Sequence, residues 1–272
     1  MQINSQFAEF ESCNKIWAIG SIHSQLDSFE NIKNHIINNF SESDKIVFLG
    51  NVIGVGDFAQ ETLSSVINMR SKLMSKFFLK PKDIVFLRGA QEEMFLKVLQ
   101  LQTAPNPKEI LLWMYEHGVN KTIDSYGLDS NELINVSLRG TIAINRWTSR
   151  LNEILTNKLG HREYFSNLCH AAFPKSRLVL FVNRGVDITR PLSAQSDCFW
   201  WGYHNFSKLN KPYKTFKKII RGYEPSLINK PHNLKEKTVL SLYKGPLSDK
   251  MVIAGLFNDS GKILDLFESN SF

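Results

Sequence analysis

Apolar residues follow two rhythms in the first hundred positions of this chain. Ile16–Ile19, Ile46–Leu49 and Ile84–Leu87 are solid apolar runs, each introduced by a charged residue and followed by glycine or arginine. Runs this short, rich in β-branched residues, predict buried strands. Between them Leu26, Phe29, Ile32, Ile36, Ile37 and Phe40 recur at helical spacing. So do Phe58, Leu63, Val66, Ile67, Met69, Leu73 and Met74, with Pro81 closing that stripe. A third helix is predicted over Glu92–Leu101. Strand and helix alternate three times, which implies parallel strands joined by helical crossovers. Each strand delivers polar residues at its C-terminal end, where open α/β sheets build their sites.

The rhythm changes after the proline-marked loop Thr103–Glu109. Ile110–Tyr115, Asn131–Leu138, Ile142–Leu155 and Arg162–His170 predict short helices with no strand between them, a helical insertion over about 103–170. Strand patterns resume at Arg177–Val182, Phe216–Ile220, Val239–Tyr243, Met251–Phe257 and Lys262–Phe267. Asn258–Gly261 (NDSG) predicts a hairpin turn between the last two. Without long helices between them, these strands predict a second, more antiparallel sheet. Residues 1–15 read as a polar leader. No linker or repeat divides the chain, so residues 1–272 are expected to form one domain.

Composition narrows this only a little. The chain has 272 residues, 43% hydrophobic and 22% charged, an ordinary balance for a water-exposed globular fold. No apolar run is long enough to span a membrane, and the N-terminus lacks the basic-then-apolar signature of a secretory signal. Cys13, Cys169 and Cys198 are odd in number and lack CxxC spacing, which predicts reduced thiols and a cytoplasmic location. The net charge of +7 is concentrated in Phe206–Lys250, where eleven basic residues face three acids. Such a block is either a solvated lysine-rich face or a surface for an anionic partner such as nucleic acid. Lysine dominates it, which argues against specific phosphate readout by arginine forks. No dinucleotide, P-loop or nucleophile-elbow signature occurs, and His35, His117, His161, His170, His204 and His232 lack metal-ligand spacing.

One family does match the punctuation. IWAIGSIHSQLDSFENI resembles the GDxHG motif of calcineurin-like metallophosphoesterases, VFLGNVIGVG their GDxxDRG, and VFLRGAQEE their RGNHE. YEHGVNKTIDSYGLD, LFVNRGVDITRPLSAQSDCFWW and IIRGYEP resemble, in order, three further segments of the bacterial serine/threonine phosphatase and diadenosine tetraphosphatase branch. The likeness runs from Ile16 to about Glu268. It implies a four-layer α/β/β/α sandwich of two mixed sheets.

The resemblance also implies a site. In the family two divalent metals such as Mn or Fe, about 3.5–4 Å apart, clamp the phosphoryl group. Their ligand positions fall here on Ser21, His23, Asn51, Ala90, Asn183 and Tyr223, of which only His23 keeps the family residue. Gln91 stands where the family has its catalytic histidine. Gly54 and Val55 replace the aspartate that orients that histidine and the arginine that grips phosphate. The implied expectation is a degenerate member with no metal cofactor and no catalytic residue. Arg88 and Arg184 remain, either as the arms of a cleft that binds a phosphate-like anion, or with Arg88 in a structural ion pair to Glu92 while Trp200 and Trp201 pack in the core. Arg190 and Gln195 lie in the loop ahead of those tryptophans.

Three functions stay open at this point. The first is a pseudophosphatase that binds or regulates an unidentified protein or phosphorylated ligand. The second is a phosphoesterase with a remodelled or mononuclear site around His23. The third is a nucleic-acid or acidic-surface binder acting through residues 206–250.

Overall fold

The computed structural model describes residues 6–11, 13–206, 209–224, 238–243 and 251–269. The three N-terminal apolar runs form β2 (Ile16–Ile19), β3 (Lys45–Phe48) and β4 (Ile84–Phe86), parallel and in register. Alternate residues explain why the runs are solid. Trp17, Ile19, Ile46, Phe48, Ile84 and Phe86 face a helical layer, while Ile16, Ala18, Val47, Leu49, Val85 and Leu87 face a second sheet. A strand covered on both faces has no polar side to show.

The helical layer comprises α1 (Leu26–Asn39), α2 (Ala59–Phe77) and α3 (Ala90–Val98). The predicted stripes are their buried faces: Phe29, Ile32 and Ile36 on α1, and Leu63, Val66, Met69 and Leu73 on α2. Burying each such side chain is worth about 1.5–3 kcal/mol. The insertion follows as α4 (Pro107–Glu116), α5 (Val119–Ser125), α6 (Ser130–Ser137), α7 (Thr141–Asn157) and α8 (His161–Ser166), extending the same core. His161 pins it to α2: its Nδ1 lies 2.7 Å from the Tyr126 hydroxyl and its Nε2 3.0 Å from Ser64 Oγ. Burial pushes this imidazole down to about 4.

The second sheet holds β1 (Phe7–Phe10), β5 (Ala171–Pro174), β6 (Val179–Val182), β7 (Lys218–Arg221) and β8 (Val239–Ser241), in the order β1-β5-β6-β7-β8. It is not the antiparallel sheet expected. Among the described residues only β5–β6 is antiparallel, and the other three pairings are parallel. The last two strands, β9 (Ile253–Phe257) and β10 (Ile263–Glu268), are also not part of it. They form the expected hairpin but join the first sheet, giving β10-β9-β2-β3-β4 with β9 antiparallel to β2. Two further corrections concern short segments. Part of the polar leader is β1, an edge strand with one fully buried side chain, Phe10. The helix expected to reach His170 stops at Ser166, and β5 begins at once after His170.

Between the sheets Ile16, Val47 and Leu49 meet Ala172, Val179, Phe181, Ile220 and Leu240. Among the described residues the outer face of the second sheet is covered by α9 (Cys198–Trp201), Phe206, Tyr213 and Phe216. The two sheets touch through the backbone as well. Cys169 N–H donates to the Phe86 carbonyl at 2.9 Å, and Arg88 N–H donates to the Cys169 carbonyl at 2.7 Å. The chain thus seals the edge of β4 before turning into β5. That junction brings the C-terminal ends of β2, β3 and β4 against those of β6 and β7. No helix among the described residues is long and apolar enough to cross a membrane. Of the basic block, Lys208, Lys230, Lys235, Lys237, Lys244 and Lys250 lie outside the described residues.

Candidate functional site at the strand ends

The loop after β3 bends sharply because Gly50 and Asn51 both adopt left-handed backbone, at φ 82° and 54°. Glycine reaches that region freely and asparagine tolerates it. A Cβ on Gly50 would lie 2.7 Å from the Gly89 nitrogen, so only glycine allows the two loops to meet. Glu92 then holds the loop. Its carboxylate, fully buried, accepts from the N–H groups of Asn51 (2.8 Å), Val52 (2.7 Å), Ile53 (3.4 Å) and Gly89 (3.0 Å), and from the Tyr164 hydroxyl (3.1 Å). Burial raises the pKa of this carboxyl and the backbone donors oppose the rise. The expected Arg88–Glu92 pair does not form. Glu92 sits on the inner side of the first turn of α3, facing the Asn51 loop, while Glu93 lies outward and takes Arg88 at 3.0 Å. The Arg88 guanidinium also lies 5.4 Å from the Trp200 ring. Trp200 is buried as expected, whereas Trp201 is only partly so.

Contacts join several of the positions that the sequence resemblance singles out. Asn51 Nδ2 donates to Ser21 Oγ at 3.3 Å, and Asn51 Oδ1 accepts from the Gln91 N–H at 3.0 Å. Gln91 Nε2 donates to the His117 carbonyl at 2.9 Å, and the Gln91 carboxamide fills the space over Gly54, where a Cβ would fall 2.0 Å from Oε1. Ala90, half-buried, opens α3 and offers only a methyl group. Asn183, at the end of β6, donates from Nδ2 to the Leu49 carbonyl at 2.6 Å. Its own carbonyl accepts from the Gly222 and Tyr223 N–H groups, each at 2.9 Å. Val55, at φ 63°, is a β-branched residue in left-handed backbone against Gly118.

His23 is the metal-competent residue of the set, and it is 3% exposed. Among the described residues neither of its ring nitrogens has a hydrogen-bond partner, and burial pushes its pKa down to about 3. It is a neutral imidazole in an aromatic wall. The Tyr223 ring stands edge-on to it at 5.3 Å, and the Tyr243 ring lies 6.5 Å away. Arg184 places its guanidinium 6.0 Å from the centre of the Tyr223 ring. Gln91 Oε1 and Asn183 Oδ1 are likewise buried without a partner among the described residues. Among the described residues no three of His, Cys, Asp and Glu gather as a metal-ligating group. Sequence reasoning missed Tyr243, which no local motif marks, and the clamping role of Glu92.

No family model matches the chain, and no curated protein matches it by sequence. Solved structures do match by shape. A protein described as a candidate diadenosine tetraphosphatase superposes with a TM-score of 0.55 at 12% identity, over 98% of this chain and 99% of that one. A cold-active protein tyrosine phosphatase matches with a TM-score of 0.52 at 11% identity, over 96% of this chain and 80% of that one. Another structure of a cold-active protein tyrosine phosphatase, from a psychrophilic Shewanella species, matches at 0.51 and 12% identity, over 97% and 83%. Likeness at this level of identity establishes the fold, and the fold is that of calcineurin-like metallophosphoesterases.

Proposed function

We propose that this metallophosphoesterase-fold chain no longer carries a phosphoester-hydrolysing centre and acts as a binding or regulatory module. The observation that supports this is the donor set at the strand ends. Six positions that the family fills with metal ligands hold one imidazole, two carboxamides, one aliphatic hydroxyl, one phenol and one methyl group (His23, Asn51, Asn183, Ser21, Tyr223, Ala90). Two divalent cations need hard anionic oxygens to offset their charge, and this set carries none. The Asn51 carboxamide is moreover already engaged at both ends, by Ser21 and by Gln91. The residues do not fit a binuclear metal centre. Gln91, in the place of the family's catalytic histidine, has no titratable proton to give a leaving group.

The partner is an unidentified protein or phosphorylated ligand. Arg88, one of the two arginines expected to grip an anion, is already neutralised by Glu93. The test is elemental analysis of the purified protein for Mn, Fe and Zn, together with turnover of a generic aryl phosphate with added Mn²⁺. Metal well below one equivalent and no turnover are expected. Turnover that vanishes in His23→Ala would replace this reading with a remodelled mononuclear enzyme. Salt-dependent binding to random DNA or RNA, weakened by substituting Lys217 and Lys218, would replace it with a nucleic-acid binder.

A further inference from the structure

Loss of ligands alone would leave a hollow polar pocket at the strand ends, yet three rings from three different strand ends meet there. His23 follows β2, Tyr223 follows β7 and Tyr243 follows β8. Their centroids are 5.3, 4.9 and 6.5 Å apart, with interplanar angles of 63°, 58° and 65°. The two histidine–tyrosine contacts are edge-to-face and the tyrosine pair is tilted, as in aromatic cores, and rings this close leave no gap between them for an ion or a phosphoryl group.

The backbone is arranged to allow the cluster. A Cβ on Gly20 would lie 2.1 Å from the Leu242 carbonyl oxygen, and one on Gly222 would lie 2.5 Å from Leu49 Cβ. Glycine at both places lets the segments bearing Tyr243 and Tyr223 close onto the ends of β2 and β3. Arg184 faces the Tyr223 ring. A guanidinium over an aromatic face has part of its charge satisfied there. Arg88 is held apart by Glu93 and Trp200.

We infer that His23, Tyr223 and Tyr243 form an aromatic plug that fills the phosphoryl chamber from within and closes it to phosphorylated ligands. The inference rests on the binding-module reading and decides between its two partner classes: a phosphoryl group is not the ligand of this chamber.

The experiment begins with the unaltered protein. Brief treatment with diethyl pyrocarbonate followed by peptide mass spectrometry should modify the exposed His117 and leave His23 untouched. Titration with inorganic phosphate at millimolar concentration should give no binding heat. Modification of His23 at the rate of His117, or phosphate binding that Arg184→Ala abolishes, would overturn the plug. Opening it should remove the protection of His23. Tyr223→Ala exposes His23 to the reagent, and added phenol, the ring that was removed, raises the melting temperature of that variant alone. An apolar cavity of this kind accepts a matching ring. Tyr223→Phe keeps the ring and should behave as the unaltered protein. A folded Tyr223→Ala in which His23 stays protected would also overturn the plug; should that variant fail to fold, the reactivity of His23 in the unaltered protein still decides. Bound metal with His23-dependent turnover would sink the binding-module reading. A metal-free, inactive protein with a reachable His23 would sink the plug alone.

Discussion

Glu92 and His23 flank the same loop, and both are buried in it, yet their surroundings differ in kind. Glu92 receives four backbone N–H groups and the Tyr164 hydroxyl. His23 contributes its backbone, donating to the Asn51 carbonyl at 2.8 Å and accepting from the Gly56 N–H at 3.3 Å, while its ring has no polar partner among the described residues. A buried polar group is normally paired, because leaving it unpaired costs about 1–3 kcal/mol. The carboxylate that shapes the loop obeys that rule, and the imidazole that would use the loop does not. Folding maintains the first regardless of activity. The second is held by aromatic packing, which asks only for a flat ring.

Removing the clamp should have the largest effect of any single change in the site. Glu92→Ala strips several buried donors of their acceptor at once and is expected to destabilise the fold by about 4 kcal/mol or to prevent folding. Glu92→Gln should cost less, since an amide oxygen still accepts on one side. Urea unfolding of both variants measures this. A loss below about 1 kcal/mol in Glu92→Ala would mean that the loop is held by something other than its carboxylate.

Restoring charge on the other side of the loop should also harm the protein. Ser21→Asp with Asn51→Asp places two neighbouring carboxylates where no cation balances them, at an expected cost of about 3 kcal/mol. Added Mn²⁺ should neither recover that stability nor give phosphatase activity, since Ala90, Asn183 and Tyr223 still offer no competent ligands. Activity in this double variant would show that the correspondence with the family's ligand positions is wrong.

The contrast between clamp and chamber also sorts what the sequence made legible. The first three strands and helices could be read because each carries its own period, and burial on both faces of β2 and β3 makes the runs unmistakable. The NDSG hairpin was equally local. Its sheet was not: β9 pairs with β2, more than two hundred residues earlier, and nothing in IAGLF specifies that neighbour. Phe7–Phe10 and Ala171–Pro174 are four-residue strands with weak patterns, stabilised by pairing with each other across the whole insertion. At the site, motif order placed Ser21, Asn51, Gln91 and Asn183 together. The acceptor role of Glu92 and the approach of Tyr243 depend on how loops stack, which spacing does not encode.

Acid should reach the histidine side of the comparison first. The folded-state pKa of His23 is about 3 and that of His161 about 4, both lowered by burial from 6.5. Between those values and 6.5 the unfolded chain binds protons that the folded one refuses. The stability these groups contribute is therefore complete above about pH 6.5 and is lost as pH falls. Each histidine should cost about 1.4 kcal/mol per pH unit in that window. Glu92 acts with the opposite sign, because its raised pKa makes ionisation on going to neutral pH unfavourable in the fold. His23→Phe keeps a ring in the cluster and isolates the histidine contribution. Its unfolding free energy should fall less steeply between neutral pH and about pH 5 than that of the unaltered protein. Equal slopes would mean that the His23 ring is hydrated.

The smallest effect lies at the tip of the same loop. Val55 holds φ 63°, a conformation that costs a β-branched residue about 1–2 kcal/mol, and its Cγ2 packs against Gly118. Val55→Gly relieves the backbone but gives up that contact and frees the unfolded chain. The net gain should be only about 0.5–1 kcal/mol, read as a small rise in melting temperature. The sequence resemblance implies that the family carries a phosphate-gripping arginine at this position, and an active site would have a reason to tolerate strain here. A stabilised Val55→Gly with unaltered partner binding would place Val55 with His23, as a position where the loop kept its shape after its task was gone. A destabilised one would place it with Glu92, among the contacts that folding still needs.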